Sequence, residues 1–279
     1  MTRRREVRIA WGASSHRGAR RTQNQDRFLA SSSAFFVADG MGGHEAGEIA
    51  SQVAIEALRP LAALPLVRPR DVMGCLTTAH HQVRAIVTGP GRGAGTTISG
   101  VVVAERNGMP NWLVVNVGDS RTYRLSQGRL DQISVDHTEV QELVDAGVLT
   151  HRQAKTYSRR HVVTRALGSH GDLKPDFWYL PIRAHDRMLI CSDGLTGELT
   201  NDRISEVLLS RPDPQSAADS LVHEAICAGG RDNITVVVID ATGVPQDTGG
   251  EYTGPRDLVA LTDEDTLPQD VRLQIGGLS

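Results

Sequence analysis

Cysteine is scarce in this chain, whose 279 residues include only Cys75, Cys191 and Cys227. Three thiols so far apart cannot build a disulfide framework, and their spacing does not match a zinc cluster. Such a composition suits a reducing compartment, so we expect a cytoplasmic protein.

The chain also lacks long apolar runs and any strong excess of charge. No stretch approaches the roughly 20 apolar residues of a membrane helix. The first residues, MTRRREVRIAWG, carry charge but not the apolar core of a signal peptide. The net charge is −3, and only Lys155 and Lys174 are lysines. A strongly basic face is therefore not expected, and we predict neither a nucleic-acid partner nor a membrane partner.

What is present is a pattern of short strands interrupted by amphipathic helices. Helical spacing of apolar residues begins at Glu45 and recurs at about 71–87, 201–209 and 215–228. Strands are predicted at 7–13, 27–33, 35–38, 96–103, 111–117, 121–126, 129–134, 177–182, 188–191 and 234–239. The order lacks the regular strand–helix alternation of a parallel sheet. We therefore predict a mixed α/β (α+β) fold, a layered sandwich with antiparallel sheets inside and helices outside.

The connections make three further predictions. Strands 111–117, 121–126 and 129–134 are joined by short turns and are expected to form an antiparallel meander. Two short helices and an Arg-rich piece at 138–161 have no strong apolar face, so we expect a mobile flap over a sheet edge. Residues 1–240 form one predicted domain, and 241–279 resemble a flexible tail. The acidic run TDEDT at 262–266 favours solubility, with partner docking or phosphorylation as the alternative.

An acidic residue ends the most informative apolar run, FFVADGMGGHEAGEIAS at 35–51. Asp39 is followed at once by glycines, which permit close approach to the backbone. A turn with a helix cap explains this segment as well as an oxygen-lined cation site does. Asp119, Asp193 and Asp232 share the arrangement, since each lies beside glycine or a small polar residue where an apolar run begins or ends. Strand ends on one side of a sandwich can meet, so these carboxylates are expected to converge.

Converging carboxylates raise one another's pKa unless a cation lies between them. Oxygen ligands without a His or Cys cluster favour Mg²⁺ or Mn²⁺. Two such ions, about 3.5–4 Å apart, can activate a bridging water and stabilise in-line attack on phosphorus. Arg21 offers a planar donor fork for the phosphoryl oxygens. Hydrolysis of a phosphate ester is the predicted reaction class.

Eight motifs occur in a fixed order along the chain. They are RRTQNQD at 20–26, VADGMGGHEAGEIAS at 37–51, GTT at 95–97, VGDSRTYRL at 117–125, DHT at 136–138, TRALG at 164–168, CSDGL at 191–195 and RDNITVVV at 231–238. In these motifs the chain resembles the bacterial PPM/PP2C-type, metal-dependent protein serine/threonine phosphatases, over about residues 5–240.

The resemblance implies a four-layer αββα sandwich and a set of metal ligands. Asp39 is expected to bridge two Mn²⁺ or Mg²⁺ ions, and the Gly40 carbonyl to bind one of them. Asp193 and Asp232 are expected to bind the other ion, and Asp119 to support a weaker third ion together with Asp193. Arg21 is expected to clamp the substrate phosphate.

The resemblance also implies supporting residues and shows two departures. Asp26 is expected to lie behind the metal ligands and order metal-bound water. Gln25 stands where a glutamate is frequent, so one outer charge is missing. Met41 replaces a histidine proposed as general acid in many eukaryotic relatives, which leaves His44 as a weak candidate. Segment 138–161 matches a flap that varies as a substrate-selecting loop does.

The expected partners are phosphorylated proteins, either Ser/Thr kinases or their substrates, acted on by a monomer. A phosphorylated regulator such as an anti-sigma antagonist is an alternative substrate. The alternative function is a catalytically weak regulator of the same fold that binds phosphoproteins. A cysteine-dependent phosphatase is excluded, because no cysteine is followed by arginine after five intervening residues.

Overall fold

Two antiparallel β-sheets lie face to face in the computed structural model, which describes residues 7–42, 45–86 and 93–244. The first sheet has the strand order β1-β11-β10-β7-β8. Its strands are β1 (Arg8–His16), β7 (Arg121–Ser126), β8 (Arg129–Gln132), β10 (Arg187–Cys191) and β11 (Ile234–Gly243).

The second sheet has the order β2-β3-β5-β6-β9, and a short strand, β4, pairs with β3. Its strands are β2 (Asp26–Ala30), β3 (Ala34–Met41), β4 (Gly95–Thr96), β5 (Ile98–Arg106), β6 (Met109–Val117) and β9 (Asp176–Pro181). In both sheets, all the paired strands are antiparallel.

The described residues also form helices, most of which cover the outer face of a sheet, whereas the two between residues 139 and 154 bury no residue. They are α1 (Glu45–Leu58), a 3₁₀ helix (Arg59–Ala63), α2 (Pro69–Arg84), α3 (Glu139–Asp145), α4 (His151–Ala154), α5 (Asp193–Thr196), α6 (Asn201–Ser210) and α7 (Pro214–Ala228). The helix ends follow local sequence chemistry. For example, Asp213 accepts a hydrogen bond from the Ser216 N–H at 2.7 Å, and Pro214 occupies the first turn of α7.

Three apolar layers hold these elements together. Residues of α1 and α2 pack with the outer face of the second sheet, and residues of α6 and α7 pack with the outer face of the first. A third cluster fills the space between the sheets, with Phe35, Trp112 and Met188 fully buried. The predicted four-layer αββα sandwich is confirmed.

The predicted meander is wrong in one respect. β7 and β8 pair as expected, but β6 belongs to the other sheet, so the chain crosses the sandwich at Gly118-Asp119-Ser120. The turn is short in both arrangements, and apolar alternation cannot tell a hairpin from a crossing. The crossing places Asp119 at the junction of the two sheets.

Smaller differences concern strand ends. β3 continues beyond its predicted end at Ala38 to Met41, because Gly40 and Met41 pair with β4. β11 continues to Gly243 through pairing with β1. Among the described residues, no helix is long and apolar enough to cross a membrane. His44 and the segment 245–279 lie outside the described residues, so the predictions made for them stay predictions.

Candidate metal centre

Five aspartates gather at one end of the sandwich. Asp26 begins β2 and is directly opposite Asp39 on β3. Asp193 is the first residue of α5, directly after β10 and Ser192, and Asp232 precedes β11. Asp119 lies in the turn that crosses between the sheets. Each sheet therefore contributes acidic side chains to the same region.

The Asp26 carboxylate is buried and held from one side. Its side chain is 2% exposed, and the Ser192 hydroxyl donates to its Oδ2 at 2.7 Å. The same hydroxyl accepts from the Thr235 N–H at 3.0 Å. Ser192 thus orients Asp26 and ties it to β11.

The GTT motif fixes the backbone of Asp39. The Asp39 N–H donates to the Thr97 hydroxyl at 3.1 Å, and the Asp39 carbonyl accepts from the Thr97 N–H and the Thr96 hydroxyl, both at 2.9 Å. The Thr97 hydroxyl is also 2.7 Å from that of Ser120, which follows Asp119. Two neighbouring threonines therefore set the positions of two acidic residues.

Gln25 and Gly40 belong to the same supported region. The Gln25 carbonyl accepts from the Gly40 N–H at 3.2 Å and from the Ser51 hydroxyl at 2.5 Å. These bonds join the start of β2 to β3 and α1. Gly40 itself is buried and directly follows Asp39 in β3, and its predicted role as a carbonyl ligand stays a prediction.

Asn233 holds the loop that precedes β2 against the start of β11. Its Oδ1 accepts from the Gln25 N–H at 2.8 Å, and its Nδ2 donates to the carbonyls of Arg17 and Gln23 at 2.9 and 2.8 Å. A Cβ atom on Gly194 would lie 1.9 Å from the Asn233 carbonyl oxygen. Only glycine fits there, so α5 can start close to Asn233.

Arg21 reaches the acidic cluster from the solvent side. Its Nη2 donates to Asp232 Oδ2 at 2.7 Å, and its side chain is 53% exposed. This hydrogen bond raises the pKa of Arg21, to which the charges of Asp39 and Asp193 also contribute. The guanidinium has further donors and stands beside the carboxylates, as a phosphate clamp must.

Burial and crowding make the carboxylates costly to ionise. Burial, followed by the charges of Asp193 and Asp232, raises the pKa of Asp26 to about 7, against hydrogen bonds that lower it. Burial and the neighbouring carboxylates raise the pKa of Asp119 to about 7, and they raise the pKa of Asp39 well above its ordinary value. Burial and Asp232 raise the pKa of Asp193. Cation binding would relieve this repulsion.

Two observations test whether this cluster fits a cation. Asp26 Oδ1 and Asp193 Oδ1 are buried, and neither has a hydrogen-bond partner in the described part of the chain. The donors are carboxylate and carbonyl oxygens, as Mg²⁺ and Mn²⁺ prefer. Within residues 7–42, 45–86 and 93–244, however, no three acidic, His or Cys side chains already form a complete ligand set. The carboxylates are nevertheless near enough for their charges to raise one another's pKa, which a bound cation would offset.

The acidic residues are recognisable in the sequence, but the residues that position them are not. Ser192 and Thr97 lie inside the quoted motifs CSDGL and GTT, yet hydroxyl residues beside aspartate carry no signal of a hydrogen bond across the fold. His161, in the predicted flap, is exposed but close enough for its charge to lower the pKa of Asp193. No periodicity connects these two positions.

Comparison with known proteins agrees with the geometry. The serine/threonine protein phosphatase PstP of Mycobacterium tuberculosis is 38% identical over 240 residues, which cover 83% of this chain and 45% of PstP. The chain therefore spans less than half the length of that relative. The serine/threonine phosphatase stp of Listeria monocytogenes is 32% identical over 212 residues, covering 73% of this chain and 82% of stp.

Solved structures show the same fold. A crystal structure of M. tuberculosis PstP/Ppp superposes with a TM-score of 0.78 at 35% identity, covering 85% of this chain and 100% of that one. The PstP catalytic domain in complex with 2 manganese ions gives a TM-score of 0.75 at 36% identity, covering 84% and 99%. Residues 14–223 match the sequence profile of protein phosphatase 2C. The predicted family is thus confirmed, and the chain belongs to the protein phosphatase 2C (PPM/PP2C) family.

Proposed function

We propose that this chain is a Mn²⁺- or Mg²⁺-dependent phosphatase that hydrolyses phosphoserine and phosphothreonine in proteins. The observation that carries the proposal is the cluster of five aspartates beside the exposed guanidinium of Arg21. Four of them, Asp26, Asp39, Asp119 and Asp193, have raised pKa values, and two buried carboxylate oxygens have no partner among the described residues. Membership of the protein phosphatase 2C family supports the same reaction.

The proposed ligands divide between the two sheets. Asp39 and the Gly40 carbonyl come from β3, whereas Asp193 and Asp232 follow or precede strands of the other sheet. Asp119, from the crossing turn, would support a third ion with Asp193. When bound, two such ions neutralise the carboxylates and supply an activated water for in-line attack on phosphorus.

The chain's own residues then have distinct tasks. Arg21 orients the phosphoryl group by donating to its oxygens. Asp26, held by Ser192 through Oδ2, keeps Oδ1 without a partner among the described residues and orders water at the site through it. Thr97 keeps Asp39 in place through the backbone. The Met41 side chain has no proton to donate, so the leaving-group oxygen must receive its proton from another group or from water.

The test is phosphate release from phosphoserine and phosphothreonine peptides by the purified chain, with Mn²⁺ and with excess chelator. We expect turnover with Mn²⁺ and its loss with chelator. Asp193→Ala and Asp39→Ala should abolish turnover while the fold persists, because each removes a repulsive charge. The matched control is Asp219→Ala, an exposed aspartate on α7 that bonds to Gln215.

Three outcomes would oppose the proposal. They are turnover that resists the chelator, normal rates in Asp39→Ala or Asp193→Ala, and equal loss in the Asp219→Ala control. Binding of phosphopeptides without release of phosphate would instead support the alternative, a regulator of the same fold. Phosphorylated proteins as substrates, either Ser/Thr kinases or the substrates of such kinases, are part of this proposal.

A further inference from the structure

The turn that carries Asp119 is held on both sides by one dipeptide, Asp136-His137. Asp136 accepts from Arg121, whose Nε is 2.9 Å from Oδ1 and whose Nη2 is 2.6 Å from Oδ2. On the other side, His137 Nδ1 accepts from the Gly118 N–H at 3.1 Å, and the His137 N–H donates to the Gly118 carbonyl at 2.9 Å. Gly118, directly before Asp119, and Arg121, two positions after it, are therefore both held by the DHT motif.

The bonds of the His137 ring indicate which ring nitrogen carries the proton. It is 4% exposed, and Nδ1 acts as an acceptor, so the ring proton of the neutral form is on Nε2. Nε2 is 3.0 Å from Asp176 Oδ2, to which it donates. Asp176 Oδ1 in turn accepts from Arg165 Nη1 at 3.2 Å. The ring is thus clamped between a backbone N–H and a buried carboxylate.

His137 also forms the base of the segment 138–163, which contains α3, α4 and the Arg-rich piece. The Thr164 N–H donates to the His137 carbonyl at 2.8 Å, and Thr138 pairs with Val163. His161, near the end of this segment, is close enough to Asp193 for its charge to act on that carboxylate. One residue therefore contacts both the Asp119 turn and the base of the segment that approaches the site.

Close packing around Gly118 restricts the position in which it can bond to His137. Its φ is +109°, and a Cβ atom there would lie 2.6 Å from Thr97 Cγ2. The turn is therefore pressed against the residue that holds the Asp39 backbone. Gly118 and Asp119 are joined by a peptide bond. A shift of Gly118 away from His137 would therefore change the direction of the Asp119 side chain.

We propose that His137 is a positioning residue that couples Asp119 to the segment 138–163. Its Nδ1 sets the turn that aims the Asp119 carboxylate, and its carbonyl anchors the segment. The cation part of this inference rests on the proposed function, in which Asp119 supports a third ion. The coupling between the Asp119 turn and the segment 138–163 rests on the hydrogen bonds of His137 alone.

The experiment distinguishes the contribution of Nδ1 of His137 from that of Nε2. The amide oxygen of Asn can replace Nδ1 as the acceptor for Gly118, whereas the longer Gln side chain reaches the place of Nε2 beside Asp176. Mn²⁺ binding to the purified full chain is measured by titration calorimetry, and hydrogen exchange is followed across 138–163. His137→Gln should weaken the weakest Mn²⁺ site about tenfold, the lower range for lost support behind a ligand, and should speed exchange in 138–163. His137→Asn should stay within about twofold of wild type in the same Mn²⁺ titration.

His80 provides the matched control. It is also 4% exposed, and its Nδ1 also accepts from a glycine N–H, that of Gly168 at 3.2 Å. His80→Gln should lower the melting temperature without changing Mn²⁺ binding. This control reports what the loss of a buried histidine costs by itself.

Wild-type Mn²⁺ binding together with wild-type exchange in His137→Gln would overturn the inference. So would equal losses in the Asn and Gln variants, or the same loss of Mn²⁺ affinity in His80→Gln. If His137→Gln does not fold, a tenfold loss of affinity in the folded His137→Asn variant overturns it, and wild-type affinity there supports it. An Asp119→Ala variant that binds Mn²⁺ as wild type does would refute the proposed third cation, and the exchange comparison alone would then decide the coupling.

Discussion

Replacing Ser192 by alanine tests the electrostatic account of the site most directly. The Ser192 hydroxyl is fully buried and makes two bonds, to the Asp26 carboxylate at 2.7 Å and from the Thr235 N–H at 3.0 Å. Its loss removes a hydrogen bond to a charged group, worth about 1.5–3 kcal/mol. It also leaves a buried N–H unpaired, at a cost of about 1–3 kcal/mol.

The expected loss depends on pH because Asp26 titrates. Its pKa in the folded, metal-free protein is raised to about 7 from 3.8, so the folded state holds a proton that the unfolded state has released between these values. The bond from Ser192 lowers this pKa, and its removal raises the pKa further. Destabilisation should therefore be largest above pH 7, at roughly 3–5 kcal/mol, and smaller by about 1–2 kcal/mol near pH 5.5, where the carboxyl is neutral.

The assay is denaturant unfolding of the metal-free protein in chelator, at pH 8 and at pH 5.5. Ser99→Ala is the matched control, since Ser99 is equally buried and its hydroxyl is 2.9 Å from the neutral hydroxyl of Thr122. It should lose about 1 kcal/mol at both pH values. A loss in Ser192→Ala that does not vary with pH, or one no larger than that of Ser99→Ala, would refute the reasoning.

The same geometry makes four further predictions. The metal-free protein should become less stable as pH rises from about 4 to 7, because Asp26 and Asp119 keep their protons in the folded state over this range, whereas the unfolded state releases them. Melting temperatures that rise with pH across this range would contradict this. Mn²⁺ at about 100 times its dissociation constant should stabilise the protein by about 2.7 kcal/mol at pH 8. Asp39→Asn should raise the metal-free melting temperature and reduce that Mn²⁺ effect, and an unchanged melting curve would count against crowding as the cause of the raised pKa of Asp39. Gly194→Ala should unfold the start of α5, since its Cβ would lie 1.9 Å from the Asn233 carbonyl oxygen, whereas Gly74→Ala in α2, with open space around it, should stabilise the protein by about 0.5–1 kcal/mol in the same circular dichroism melt.

The sequence was sufficient to predict the layers of the fold and the acidic residues of the site. Apolar alternation located nearly every strand, because each strand buries one or both faces in a layered core. Asp39, Asp193 and Asp232 were found because each lies at a transition between an apolar run and glycine or polar residues. These signals depend only on neighbouring residues, so a single sequence is enough to detect them.

Which strands share a sheet was not visible in the same way. The turn at Gly118-Asp119-Ser120 resembles a hairpin, yet β6 and β7 belong to different sheets. The hydrogen bonds from Ser192 to Asp26 and from Asn233 to the loop before β2 join residues more than 150 positions apart. Such pairings depend on the packed sandwich and leave no spacing pattern in the chain.

The division of the acidic residues between the sheets has a mechanical consequence. Asp26 and Asp39 belong to one sheet, whereas Asp193 and Asp232 are attached to strands of the other. A cation bound between Asp39 on one side and Asp193 and Asp232 on the other would crosslink the two halves of the sandwich. Movement of one sheet relative to the other would then require release of the ion. An occupied site should therefore make the two sheets unfold as a single cooperative unit.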